Sequence, residues 1–372
     1  MMTMWRRIIA LTIKEFLALV KDRRSRTVLI VPPIIQLIIF GYAATFDLHD
    51  VPYAVYNEDR GVASRELLAA IEGSEAFRPV DYLEKDSQVA PIIDNKGATM
   101  VVHFGPEFTK DLLLKRPTEL QVIVDGRDSN TALVVLGYLR SILIKFNEQW
   151  NIAHGERPPA ARLNIRAWFN QNLESRWFIV PGVVGLLTLV VTTLVTALSV
   201  AREREAGTFD QLLVTPFRPV EILLGKTLPG LVIGVIEASI IILIAILWFN
   251  VPLRGSLAAL YCGLFLFLLS TIGVGLAISS IAVTQQQGLL GAFLFIVPSI
   301  ILSGFATPIA NMPPLVQDIT LINPMRYFLI ILRSVFLEGA NVSRLWPNYW
   351  PMALIGIINL TIASMLFRRR LY

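Results

Sequence analysis

From residue 255 to residue 317 the chain runs for 63 positions without one Asp, Glu, Lys or Arg. A water-soluble domain cannot accommodate that, because about a quarter of its residues are charged and its turns must reach solvent. A bilayer core is crossed by about 20 apolar residues of helix, which satisfies its own backbone hydrogen bonds in lipid. The run is long enough for two such spans, and "TQQQG" (284–288) reads as the break between them. The same test gives spans at 27–46, between Arg26 and Asp47, and at 177–201, between Arg176 and Arg202. It gives two more at 227–253, with one acid, Glu237, and at 345–367, between Arg344 and Arg368. The expected fold is an α-helical membrane protein with six transmembrane helices. Composition agrees, with 54% hydrophobic and 16% charged residues. The net charge of +5 calls for no nucleic acid, since basic residues also orient spans. The single cysteine, Cys262, excludes a disulfide within the chain.

Basic residues gather on the cytoplasmic side of membrane helices. Arg6, Arg7, Lys14, Lys21, Arg23, Arg24 and Arg26 precede the first span. Arg202, Arg204, Arg218 and Lys226 follow the second, and Arg368, Arg369 and Arg370 follow the last. Six spans put all three groups on one side, with both termini cytoplasmic. Arg176, Arg254 and Arg344 then lie outside and weaken the bias without reversing it. Residues 1–26 read as an amphipathic interfacial helix rather than a cleaved signal. Trp5, Ile9, Phe16 and Val20 share one face, and Arg7, Lys14 and Lys21 line the opposite one.

Residues 47–172 read as a soluble mixed α/β domain between spans one and two. Strand-like "VPYAVYNE" (51–58), "ATMVVHF" (98–104) and "ELQVIVDG" (119–126) alternate with helix-like stretches, the last of them 128–150. His49, His103 and His154 are scattered, and no metal or catalytic spacing occurs. Binding, gating or docking is the expected role. "DGRDSN" (125–130) reads as a strand-to-helix turn, and "RPPAAR" (157–162) as a loop back to the membrane.

"AREREAGTFDQLLVTP" (201–216) sets four charges side by side after an uncharged span. Gly207 suits a helix stop, and Thr208 with Gln211 fits a capping box opening a short helix. Phe209, Leu212 and Leu213 form its apolar knob, and Pro216 and Pro219 end it. Arginines suit a helix C-terminus, but Glu203 and Glu205 oppose its dipole by roughly 0.3–1 kcal/mol each. Either Arg202 and Arg204 neutralise them in solvent, or they orient the short helix or meet a partner.

This segment resembles the cytoplasmic loop of ABC-2 type exporter permeases. So does the layout of amphipathic helix, span, large outer domain and five further spans. "LSGFATPIANMPP" (302–314) and "INPMRYF" (322–328) resemble the outer segment preceding the family's last helix. The resemblance covers essentially the whole chain. It implies a permease subunit in the bacterial inner membrane, with residues 203–215 as a coupling helix seated in a separate ATP-binding subunit. Arg202, Glu203, Arg204, Glu205, Gly207, Thr208, Phe209, Leu212 and Leu213 would carry that coupling. It further implies two ATP-binding subunits, a second permease, identical or paralogous, a periplasmic domain at 47–172 and a periplasmic adaptor. No cofactor is expected in this chain, and ATP and Mg would belong to the partner. Drugs or other lipophiles are the implied cargo.

Gly225-Lys226-Thr227 is the tail of a P-loop, but Val220 stands where the first glycine is needed. Lys226 reads instead as an interfacial anchor, and the chain as a transport subunit rather than an enzyme. Glu237 lies near the middle of span three, where an ionisable group is expensive and marks a transport path or a neutral hydrogen-bonded acid. Gly273 and Gly275 permit close helix packing. Residues 306–340 read as an outer re-entrant segment, with Pro308, Asn323, Pro324 and Arg326 at an outer gate. Pro324 would open a helix that turns Phe328, Leu332 and Val335 inward. Three other readings compete. An ion-coupled secondary transporter would favour inverted repeats. An exporter of lipid-linked polysaccharide usually lacks so large an outer domain. A membrane-anchored sensor would need fewer spans.

Overall fold

The computed structural model describes residues 4–21, 23–43, 48–155, 168–170, 174–208 and 219–369. It forms two compact units, Met1–Ala44 with Ala167–Tyr372, and Thr45–Arg166.

The first unit opens with α1 (Met4–Lys21) and α2 (Arg23–Ala43). The face of α1 carrying Trp5 and Ile9 is exposed, 71% and 53%, as suits a side turned to lipid. What seats on the protein is the neighbouring strip of Ile8 and Leu11, both buried. Leu11 rests against Gly225, where a Cβ would stand 2.7 Å from that of Leu11.

The second unit is built on a four-stranded sheet in the order β2-β1-β3-β4. Its elements are β1 (Val51–Asn57), α3 (Val62–Glu72), β2 (Phe77–Leu83), α4 (Val89–Asp94), β3 (Met100–Phe104), α5 (Phe108–Leu113), β4 (Leu120–Val124) and α6 (Ser129–Ala153). β1 runs parallel to β2 and β3, and β3 runs antiparallel to β4. The central strands read as apolar runs because both of their faces are covered. Tyr53, Val55, Met100 and Val102 pack with Leu67 of α3 and Val135, Leu139 and Phe146 of α6. Ala54 and Val101 face a second, smaller cluster with Leu83 and Val89. β1, β3, β4 and α6 lie where the sequence places strands and the last helix, whereas β2 and α4 carry no such signal. β2 is an edge strand whose middle five residues are all exposed, and its Pro79 meets a register shift opposite Tyr53 and Ala54. It shows no alternation to read. The 125–130 stretch is the expected turn. Asp128 caps α6 by accepting from Thr131, and Arg127 pairs with Asp125 at 2.8 Å while donating to the Ile93 carbonyl. That hydrogen bond from Arg127 pushes the Asp125 carboxyl down to about 2.

Back in the first unit come α7 (Ser175–Glu205), α8 (Pro219–Leu247), α9 (Leu257–Ile281) and α10 (Gln285–Ile301). They are followed by α11 (Pro314–Ile319), α12 (Pro324–Arg333) and α13 (Val342–Arg369). Among the described residues four helices are long and apolar enough to cross a membrane: Ser175–Glu205, Val220–Leu247, Leu257–Ile281 and Val342–Arg369. The apolar part of α2, Val31–Tyr42, and α10 are shorter. The pair Pro314–Ile322 and Pro324–Glu338 is bent by 86°, a broken span or a re-entrant loop. This is a multi-span membrane protein with four such helices among the described residues, or five with the bent pair. The break in the charge-free run falls at 282–284, slightly before "TQQQG". Thr284 caps α10 by accepting from Gln287, so the glutamines form its first turn.

Glycines set the packing of this unit. A Cβ on Gly273 of α9 would stand 2.8 Å from the backbone nitrogen of Leu360 in α13. A Cβ on Gly275 would overlap Thr196 of α7, and Gly230 and Gly234 of α8 lie against Thr196 and Thr192. Pro181, Pro229 and Pro298 fall inside helices, as do Pro32, Pro33, Pro347 and Pro351.

Candidate functional site

α7 is the most buried of the long spans and carries a polar stripe down one side: Thr188, Thr192, Thr196, Ser199 and Glu203, at steps of four, four, three and four. That spacing keeps one helix face. The facing residues of α8 run the other way as Gly234, Gly230 and Lys226. At the Glu203 end the stripe becomes a buried charge cluster. Glu203 Oε1 accepts from Lys14 of α1 at 2.7 Å. Lys226 Nζ lies 2.7 Å from Glu203 Oε2, an electrostatic contact off the angle of a hydrogen bond. Lys226 also donates to Glu15 of α1 at 2.8 Å and to Ser199 at 3.2 Å. The Lys226 side chain is 3% exposed and that of Glu203 10%. Charges so buried persist only when paired and hydrogen-bonded. A cavity of about 200 Å³ adjoins the cluster, lined by Lys14, Glu15, Arg202, Glu203, Thr208 and Lys226 among others. Arg7 of α1 lies 3.8 Å from Glu221 of α8, adding a second bridge between those helices.

The neighbouring charges reach other helices. Arg204 donates to the carbonyls of Ser280 and Ala282 at 3.0 Å each, which closes the C-terminal end of α9. Glu205 accepts from the backbone amide of Gln285, the first residue of α10, at 2.8 Å. Each charge therefore complements a helix end of opposite polarity. Glu203 is buried rather than solvated, whereas Glu205 stays exposed. They tie α7 to α1, α8 and α10. Gly207 takes the left-handed conformation, φ +68°, that stops α7. The Thr208 amide and hydroxyl both donate to the Glu203 carbonyl. Residues 203–205 thus belong to α7. Phe209, Leu212, Leu213 and the Gln211 half of the capping box lie outside the described residues.

Lys226 is covered by α1 and held by two carboxylates. The partner the sequence reading missed is Glu15. Its signal was present as a charged pair, Lys14-Glu15, in the helix facing the polar stripe.

Glu237 lies in α8 and is buried, and neither of its oxygens has a hydrogen-bond partner among the described residues. At the bent segment Asn323 caps α12 by accepting from Met325, and its amide donates to Ser299 of α10 at 2.7 Å. Pro324 is the first helical residue, and Phe328, Leu332 and Val335 are buried, as expected. Phe328 stacks on Phe267 of α9 with ring centroids 4.3 Å apart. Arg326 turns back on its own segment, donating to the Thr320 hydroxyl and the Gln317 carbonyl. Pro308 precedes a 3₁₀ turn, Ile309–Asn311. Glu237 and the bent segment are separate from the charge cluster.

In the α/β unit His103 sits among polar groups. Its ring lies between Glu58 Oε2 at 2.9 Å and Gln121 Oε1 at 2.7 Å, and it stacks on Tyr56. Only an imidazolium donates from both nitrogens. Partial burial opposes the charge, but the two hydrogen bonds outweigh it and hold His103 above its ordinary 6.5. The bond from His103 holds Glu58 below its ordinary 4.5. The stabilisation is full below pH 6.5 on the histidine side and fades as pH rises through the raised value. On the carboxylate side it fades as pH falls through the lowered one. The midpoint difference between wild type and His103→Phe is expected to be larger near about pH 6 than near about pH 9 in thermal melts. An equal difference at both would remove the charged pair.

Residues 23–365 match the family description "ABC-2 family transporter protein". The chain is 37% identical over 368 residues to "Probable multidrug ABC transporter permease YbhR" of Escherichia coli strain K12, covering 99% of this chain and 100% of that protein. It is 35% identical over 341 residues to "Probable multidrug ABC transporter permease YbhS" of the same strain, covering 90% and 89%. It is 29% identical over 367 residues to "Inner membrane transport permease YhhJ", covering 98% and 97%. Gly225-Lys226-Thr227 lies inside α8 with its lysine committed to carboxylates, so it is no phosphate loop. With a multi-span bundle, a bent helical segment and a charge-bolted helix end on the page, the chain belongs to the ABC-2 family of transporter proteins, as a membrane permease subunit of an ABC exporter.

Proposed function

We propose that ATP hydrolysed by a separate subunit drives this permease through the end of α7. The observation that carries this is the double engagement of Glu203, to Lys14 at 2.7 Å and Lys226 at 2.7 Å, beside the 203–215 segment. A push on that segment reaches α1 and α8 through Glu203, α9 through Arg204 and α10 through Glu205. Phe209, Leu212 and Leu213 make the contact with the ATP-binding subunit, and the charges behind them transmit it. Gly207 and Thr208 fix the corner between the two. α2, α7, α8, α9, α10 and α13 are the six spans. Both termini and the 203–215 segment lie in the cytoplasm, and residues 47–172 lie in the periplasm, where they dock an adaptor. A second permease, identical or paralogous, and two ATP-binding subunits complete the assembly. The bent segment around Pro308, Asn323, Pro324 and Arg326 roofs the outer end of the path.

Drugs or other lipophiles are the cargo this reading favours, in line with the names of the relatives. Glu237 supports a cationic subset, because its buried oxygens have no hydrogen-bond partner among the described residues. Glu237→Gln is expected to reduce export of cationic compounds about tenfold while sparing neutral ones, for an unscreened charge contact worth about 1–2 kcal/mol. Equal loss for both classes would take Glu237 off the path. Contact with the ATPase is tested by Thr208→Cys. Cross-linking to a soluble ATP-binding protein supports the reading, and labelling only by membrane-impermeant reagents applied outside the cell contradicts it.

A further inference from the structure

The end of the bundle where α7 begins carries a rim of charged groups. Arg176 pairs with Glu174 at 3.5 Å, and Arg344 pairs with Glu338 at 3.3 Å. Two more arginines lie there without any acidic partner among the described residues. Arg254 donates to the Leu337 carbonyl at 3.3 Å and lies 6.0 Å from the Trp177 ring. Arg333, the last residue of α12, lies 3.9 Å from the Phe178 ring centroid. Its Nε and Nη2 are buried and donate to nothing in the described chain. A π-helical turn, Ser334–Glu338, follows directly, and its Val335 and Phe336 carbonyls accept from the amides of Gly255 and Arg254. That pairing fixes Arg333 and Arg254 on one face of the rim, over consecutive aromatic residues of α7.

A guanidinium offers Nε and one Nη as a planar fork that matches two oxygens of a phosphate or carboxylate. Leaving two such donors unmet costs about 1–3 kcal/mol or more, so a fork left open by the protein calls for an acceptor from outside. The ring of Phe178 covers one face of the cation. Phe178 is one turn inside Ser175, the start of the span, and tryptophans and arginines mark the headgroup level of a bilayer. Two uncompensated positive charges at that level favour a headgroup with net negative charge over a zwitterionic one. We propose that Arg333, with Arg254 beside it, binds the phosphate of an anionic phospholipid at the rim of the bundle. This is independent of the assignment of ATP coupling, and it adds a structural lipid that holds the joint between α12 and α7.

The test uses the full-length chain in nanodiscs of phosphatidylcholine with or without phosphatidylglycerol, read by thermal unfolding and by native mass spectrometry of retained lipid. Wild type is expected to melt higher with phosphatidylglycerol and to retain one such lipid. Arg333→Gln is expected to lose about tenfold of that retention, Arg333→Lys less, and Phe178→Leu part of it. Arg176→Gln serves as the rim control and is expected to match wild type. Phe178→Leu keeps every charge, so it still reports if Arg333→Gln fails to fold. Equal retention in wild type, Arg333→Gln and Phe178→Leu would overturn the proposal. Stabilisation by inorganic phosphate alone, with none from phosphatidylglycerol, would overturn the lipid as the source.

Discussion

Glu203→Lys is expected to abolish ATP-driven export while leaving the chain inserted in the membrane. The substitution places a third ammonium among Lys14 and Lys226 and leaves Glu15 alone to balance them. Breaking one buried pair costs about 3–5 kcal/mol, because the surviving partner stays buried and uncompensated. Here two pairs break at once. The cost falls on the contacts among α1, α7 and α8, and not on the apolar packing of Val183, Val184 and Leu187 farther along α7, which stays intact. The double change Glu203→Lys with Lys226→Glu is not expected to rescue. The new lysine would still face Lys14, and the new glutamate would still face Glu15. Export measured beside membrane content checks both statements. Wild-type export in Glu203→Lys, or full rescue by the swap, would mean that the cluster does not transmit force.

Gly273→Leu is expected to prevent folding of the bundle. The missing side chain of Gly273 is the space in which α13 approaches α9, against the backbone of Asn359 and Leu360. Backbone cannot swing aside as a side-chain tip can. Overpacking of well-packed cores costs about 1–3 kcal/mol per site and more where the obstruction is rigid. Gly137→Ala makes the contrast. Gly137 lies within α6 and a Cβ there meets nothing within 4 Å. Removing a glycine from a helix interior should add up to about 1 kcal/mol to the α/β unit. Size-exclusion profiles of the detergent-extracted variants read both results. A monodisperse Gly273→Leu would show that the two helices do not depend on this contact.

The helices were legible because lipid imposes a simple rule on sequence. Uncharged runs bounded by charged residues located α7 and α13 to within four residues at each end, and α8, α9 and α10 more coarsely. The strands that lie inside the sheet were legible for a similar reason, since covered strands must be apolar. β2 was not, because an exposed edge strand has no such constraint. Asn323 and Pro324 announced the start of α12, as a capping residue and a proline at the first helical position do anywhere. The charge cluster was half legible. The residues 202–205 stood out, yet the partners of Glu203, Arg204 and Glu205 include Lys14, Lys226, Ser280, Ala282 and Gln285, far off in sequence. A helix end reads as a local motif, and the charges there answer to four other helices. In the sequence Arg333 is only a charge in an otherwise apolar stretch. Its open fork and its ring partner come from the fold alone.

The central claim is that this chain moves its cargo only with a nucleotide-hydrolysing partner, engaged at the end of α7. The direct measurement is purification of the tagged full-length chain from native membranes in mild detergent, followed by assay of ATP hydrolysis and export in proteoliposomes. The account predicts a co-purifying soluble ATP-binding subunit, with hydrolysis and export both present in wild type and export lost in Glu203→Lys. Export by the chain alone, with no ATP-hydrolysing protein in the preparation, would contradict it.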